Sequence, residues 1–140
     1  MFVAKNKVRI HDMDLAGLLY FPRQFRFVND ALEDFLESEG LPFDYLFHKE
    51  DFVFVIVHCE SHYLEMINLD DCLEVHVGVE KIGNTSFTLF YNIYREDGTE
   101  VGAAKTTHVC LSQSFKKKIP VPGKLLPILE KHLGIPPALR

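Results

Sequence analysis

Tryptophan is missing from this chain of 140 residues, and cysteine occurs only three times. Cys59, Cys72 and Cys110 lie far apart, form no CxxC pair and are odd in number. That pattern excludes a disulfide framework and points to a reducing, cytoplasmic location. No apolar run approaches the roughly 20 residues that cross a bilayer, and the N-terminal Met-Phe-Val-Ala-Lys-Asn-Lys lacks the apolar core of a signal peptide. Basic residues form no face interleaved with aromatics, and the formal charge is −5, so nucleic acid is not an expected partner. Repeats, linkers and low-complexity stretches are also lacking. What is abundant is apolar: 47% of the residues, with 12 Phe. That is enough for one domain with a real core over residues 1–140.

A further absence is local. Phe25, Val28, Leu32, Phe35 and Leu36 recur at three- and four-residue spacing, while Asp30, Glu33, Asp34 and Glu37 take most of the remaining circumference. This predicts an amphipathic helix. Pro22 suits its first position, and Gly40-Leu41-Pro42 closes it. Yet Leu19, Tyr20 and Phe21, just before Pro22, include no residue that caps a helix, so the first-turn N–H groups lack an evident partner. Such an end accommodates an anion or a polarised carbonyl. A capping water, or a Ser or Thr from elsewhere in the fold, is the plainer alternative. Two carboxylates, Asp12 and Asp14, precede this entrance and lead into Gly17.

The rest of the chain reads mostly as strands. Phe2 to Ile10 is a first strand, and Phe43 to His48 a short helical turn. The run from Phe52 to about Glu65 predicts a long strand, buried on both faces in its first half. Leu73 to Glu80 alternates as a half-buried strand. Gly83-Asn84 and Asp97-Gly98 are hairpin signals bracketing a strand from Thr85 to Arg95, and Val101 to Ser112 is the next. A short helix, Pro127 to Leu133, precedes Gly134. One long helix and an antiparallel meander favour a curved sheet wrapped around that helix.

The stretch Asp12-Met13-Asp14-Leu15-Ala16-Gly17-Leu18-Leu19-Tyr20-Phe21-Pro22, running into the long helix ahead of a meander, resembles the hotdog-fold acyl-CoA thioesterases. It is most similar to the 4-hydroxybenzoyl-CoA thioesterase group and its Tol–Pal-linked bacterial relatives. Weaker echoes are Asn68-Leu69-Asp70-Asp71 and Gly83-Asn84-Thr85-Ser86. The resemblance covers nearly the whole chain and implies an α+β hotdog fold. It also implies roles: Asp14 as catalytic carboxylate, the backbone N–H of Phe21 as donor to the thioester carbonyl, Gly17 for close passage of the loop. Ser86 matches a position near the neighbouring subunit's active site, which implies a homodimer or homotetramer. The chain departs from the family where some relatives have His at the place of Phe21, and where others grip the CoA phosphates with consecutive basic residues at the hairpin. Lys81 and Lys116-Lys117-Lys118 are the available substitutes; otherwise the triple-lysine run is an ordinary solvated stretch.

The function these features point to is hydrolysis of an acyl-CoA thioester to a carboxylic acid and free CoA. Asp14 serves as nucleophile or as general base. No metal or redox cofactor is implied, CoA being part of the substrate. Asp12 is expected to support the loop by hydrogen bonding, and His11, beside the loop, either hydrogen-bonds a carboxylate or has a structural role. His58, Glu60 and His62 share one strand face and could in principle hold a divalent ion, but a polar strand face or a subunit contact explains them better. Two other readings stand beside the hydrolase. One is a non-catalytic acyl-thioester binding or scaffold protein on the same fold. The other is a dehydratase, which needs a His that the loop from Asp12 to Pro22 does not supply.

Overall fold

The computed structural model describes residues 1–139. Five strands, β1 (Phe2–Lys7), β2 (Phe52–Tyr63), β3 (Cys72–Ile82), β4 (Ser86–Arg95) and β5 (Glu100–Ser112), form one antiparallel sheet in the order β1-β3-β4-β5-β2. The long helix α1 (Gln24–Ser38) follows a 3-10 turn at Phe21–Arg23, and two short helices, α2 (Phe43–Lys49) and α3 (Leu126–Lys131), complete the chain.

The core lies between α1 and one face of the sheet. The helix buries Phe27, Val28, Ala31, Leu32, Phe35 and Leu36, a stripe of three- and four-residue steps. Opposite it, the register Val75↔Ile93, Val77↔Tyr91 and Val79↔Leu89 puts six essentially inaccessible residues of β3 and β4 on the same face. At about 1.5–3 kcal/mol for each fully buried large apolar side chain, this layer supplies most of the drive to fold. The helix ends as its sequence dictates. Gly40 takes φ +81°, and the Leu41 N–H donates to the Leu36 carbonyl at 2.8 Å, a left-handed cap that glycine adopts without strain. Gln24, Thr106 and His108 are the buried polar side chains of this layer. His108 is stacked on Phe87 at 4.9 Å between ring centres, with its Nε2 2.8 Å from the Thr106 hydroxyl.

The structure departs from the sequence reading in two places that bear on the site. β1 stops at Lys7 instead of Ile10, because the Asp12 carboxylate accepts the Arg9 N–H at 2.8 Å and folds Ile10–Asp12 into a 3-10 turn. The first half of β2 is not buried on both faces: Val55, Ile56 and Val57 are 41%, 48% and 59% exposed. β2 is an edge strand with β5 as its single neighbour and a register shift between Ile56 and His58, and α1 lies over β1 and β3 instead. At the other edge, beyond Phe2 where β1 begins, the C-terminal segment pairs with β3 in its place, with the Val79 N–H donating to the His132 carbonyl and the Gly134 N–H to the Val79 carbonyl, both at 2.9 Å. No helix among the described residues is long and apolar enough to cross a membrane.

Candidate active site

The loop between β1 and α1 is hung on two aspartates with opposite environments. The Asp12 side chain is fully buried. Arg26 donates to it through Nη2 at 2.6 Å and Nε at 2.7 Å, and Arg23 through Nε at 3.2 Å. Its carbonyl accepts the Tyr20 N–H at 2.8 Å. Burial alone would raise the Asp12 carboxyl, but the hydrogen bonds from Arg26 and the Arg9 N–H, with the Arg26 charge, outweigh it and hold the group at about 2. The support role expected for Asp12 is what the geometry shows, with His11 Nε2 3.6 Å away.

Asp14 is exposed at the turn of the loop. Its Oδ1 accepts the N–H groups of Ala16 at 2.9 Å and Leu18 at 3.1 Å, and its own N–H donates to the Leu18 carbonyl at 2.7 Å. Gly17 closes this small ring at φ +77°, a conformation in which a side chain would be strained. One carboxylate oxygen thus performs the turn-capping task common to loop aspartates. Oδ2 has no hydrogen-bond partner among the described residues.

Four residues beyond Gly17 the chain enters the helix. Neither Tyr20 nor Arg23 provides a side-chain cap, and the Phe21 N–H has no acceptor among the described residues. The helix entrance is therefore uncapped, as its sequence predicts. Its geometry is fixed from β2: the Tyr63 hydroxyl donates to the Phe21 carbonyl at 2.6 Å. Gln24 donates through Nε2 to the Ser61 hydroxyl at 2.8 Å and to the His62 carbonyl at 2.9 Å. Beside this entrance opens a cavity of about 450 Å³ lined by Leu18, Leu19, Phe21, Tyr63, Met66 and Ile67 among others. Asp14, Gly17 and Phe21 are thus brought to one loop beside an apolar cavity.

Ser86, Lys81 and the run Lys116–Lys118 are not near that loop within one chain. Ser86 pairs with Val109, whereas the Gly102 end of β5 lies under Gln24. Those seven residues span about 23 Å of strand. Lys118 bridges to Leu111, and the Ser112 N–H donates to the Lys117 carbonyl at 2.8 Å, so the lysine run belongs to the same far end of the sheet as Ser86. His58, Glu60 and His62 do share a face. They bind one another, with His62 Nε2 2.9 Å and His58 Nε2 3.5 Å from the Glu60 carboxylate. Among the described residues no three His, Cys, Asp or Glu side chains are arranged to hold a metal ion.

Three residues of the site escape a reading of the sequence. Tyr63 reaches Phe21 across 42 positions, and Arg26 reaches Asp12 across 14; neither pairing has a periodicity to announce it. Gln24 did leave a signal. It falls on the buried stripe of α1, where a polar side chain is out of place.

One long helix against a curved antiparallel sheet, with an aspartate loop opening beside the helix entrance, defines a hotdog-fold domain. The chain belongs to the thioesterase-like superfamily, whose family model matches residues 8–129. It is 30% identical over 121 residues to a 1,4-dihydroxy-2-naphthoyl-CoA hydrolase of Thermosynechococcus vestitus, covering 86% of this chain and 83% of that protein. In three dimensions it is similar to a 1,4-dihydroxy-2-naphthoyl-CoA thioesterase from Synechocystis, with TM-score 0.84, 26% identity and 91% and 94% of the two chains covered. A protein of Aquifex aeolicus aligns with TM-score 0.86 at 26% identity, over 92% and 99% of the two chains. The enzyme class implied by the loop motif, a thioester hydrolase, is the class of these named relatives.

Proposed function

We propose that this protein hydrolyses an aromatic acyl-CoA thioester, with Asp14 acting on the carbonyl carbon and the Phe21 N–H holding the carbonyl oxygen. One observation carries the reading: an aspartate with a free carboxylate oxygen and an uncapped helix entrance occupy the same short loop. As the thioester carbonyl becomes tetrahedral, negative charge grows on its oxygen, and a fixed N–H at the positive end of a helix stabilises that charge more than it stabilises the ground state. Asp14 then attacks directly, giving CoA thiolate and a mixed anhydride that water hydrolyses to the acid and regenerated Asp14, or takes a proton from an attacking water. Both routes end in the carboxylic acid and free CoA, and neither needs a cofactor. An aromatic acyl group fits a cavity walled by Leu18, Phe21, Tyr63 and Met66, and the two naphthoyl-CoA relatives support that choice. The link to the 4-hydroxybenzoyl-CoA group rests on the loop motif alone.

The working unit in this proposal is a homodimer built on β2. Antiparallel pairing of two β2 edges about a two-fold axis covers Val55 and Val57. It also sets the Tyr63 end of one strand beside the Phe52 end of the other. That arrangement carries the far end of the partner's sheet, with its Ser86, Lys81 and triple-lysine run, toward the Asp14 loop, where the lysines meet the CoA phosphates. It accounts for a site whose expected residues fall into two separated groups in a single chain.

The deciding variant is Asp14→Asn. It keeps the volume and the acceptor that Ala16 and Leu18 use, and removes the charge. Loss of at least about a hundredfold in kcat with KM little changed is expected, the low end of what a positioned base supplies. Near wild-type turnover by the folded variant would assign the chemistry to a different carboxylate, and a wild-type protein that binds acyl-CoA without hydrolysing it would make acyl-thioester binding without catalysis the better account. Single turnover in heavy-oxygen water separates the two routes, since only direct attack leaves the label in Asp14.

A further inference from the structure

Two residue choices near the helix entrance are unfavourable for stability alone. Gln24 is fully buried on a stripe that is otherwise apolar, and its Oε1 has no hydrogen-bond partner among the described residues. A leucine or methionine there would fill the same space without stranding an acceptor. Gly102 lies inside β5, where glycine weakens a strand, and its φ is not in the left-handed region. Both choices have one explanation. A Cβ on residue 102 would come within 2.5 Å of the Gln24 Oε1 and 2.8 Å of its Nε2, so the missing side chain at Gly102 makes room for the amide of Gln24. The amide in turn reaches across to Ser61 and His62 at the end of β2.

We propose that Gln24 is a positioning residue that sets the oxyanion donor of the active site. The inference rests on the assignment of the Phe21 N–H as that donor. The backbone N–H of Gln24 donates to the carbonyls of Phe21 and Pro22, so residue 24 is joined directly to the turn that aims the Phe21 N–H. Its side chain bolts the same turn to β2, and the Tyr63 hydroxyl on the Phe21 carbonyl is a second tie from the same strand. A helix start without a capping side chain depends on such ties for its position. Misplacement of a reacting group by about 1 Å is enough to cost orders of magnitude in rate.

Gln24→Met tests this, since it keeps the volume and removes both side-chain hydrogen bonds. A loss of about tenfold in kcat with KM within about twofold of wild type is expected, a fraction of what complete removal of an oxyanion donor costs. Melting temperature should change little, because the orphaned Oε1 is gone while Ser61 and His62 lose the Nε2 donor. Gly102→Ala provides an independent route: it should lower kcat similarly by displacing the amide, and have no further effect on kcat in a Gln24→Ala background, where the space is free. Wild-type kcat in Gln24→Met overturns the proposal, as does a Gly102→Ala loss that persists undiminished in the Gln24→Ala background. Failure of the functional reading shows differently, as an Asp14→Asn protein that still turns over or a wild type that does not.

Discussion

Asp12 and Arg26 form a two-pronged salt bridge, at 2.6 and 2.7 Å, beneath the loop that carries Asp14. Arg26 extends the contact to Asp30 at 2.9 Å and to the Lys7 carbonyl at 3.0 Å, so β1, the loop and α1 meet in one charge cluster around the buried Asp12 carboxylate. A buried carboxylate tolerates its surroundings only while its partners remain. Arg26→Met should therefore cost about 3 kcal/mol of stability, the low end for a broken buried pair because Arg23 still reaches Asp12. Urea unfolding of the two proteins measures it.

Acid should act on the fold in two stages. Burial holds His108 neutral, pushing it from an ordinary 6.5 down to about 4. Below 6.5 the unfolded chain takes up a proton that the native protein refuses, so the stability this group confers at neutral pH is lost as pH falls from 6.5 toward 4. The Asp12 contribution, set by its fall from 3.8 to about 2, disappears only below that range. His108→Phe should flatten the first stage, worth at most roughly 3 kcal/mol, and leave the second. Chemical denaturation at a series of pH values compares the variant with wild type.

Changing Lys116, Lys117 and Lys118 together to Ala should raise KM for the CoA ester and leave kcat nearly unchanged, because phosphate contacts far from the carbonyl act as uniform binding. A truncated pantetheine thioester, which lacks those phosphates, should be hydrolysed as before. An equal effect on both substrates would assign the run to stability or assembly instead.

Light scattering should find at least a dimer at micromolar concentration. Val57→Glu, at the most exposed of the three apolar residues on β2, should shift the protein toward monomer. Specific activity should fall with the dimer fraction. A fully active monomer would remove the partner's residues from the site.

Much of this architecture is legible in the sequence because its signals are local. Gly40-Leu41-Pro42, Asp97-Gly98 and the α1 stripe each act within a few residues, and the structure places each where the spacing predicts. The turn at Asp14 is legible for the same reason: the hydrogen bonds of Asp14 run to Ala16, Gly17 and Leu18, all within four residues. The exposure of β2 is not legible, since alternating Val and Ile look the same whether the covering layer is a helix of the same chain or another molecule. Polar ties such as Tyr63 to Phe21 join distant positions and leave no period to count.

The two margins of the sheet are unlike. One runs along β2 with Val55, Ile56 and Val57 uncovered; the other is the short β1, with Lys5 and Lys7 in its sequence, continued by Leu133 and Gly134 against Val79. In the proposed dimer the β2 margin is satisfied by a second copy, and the union is then finished. Endless stacking into fibrils would need the second margin to be equally receptive. In the proposed dimer, the hydrogen bonds that seat the C-terminal segment on β3 keep part of the second margin occupied, and loosening them is expected to favour aggregation at a site remote from the chemistry.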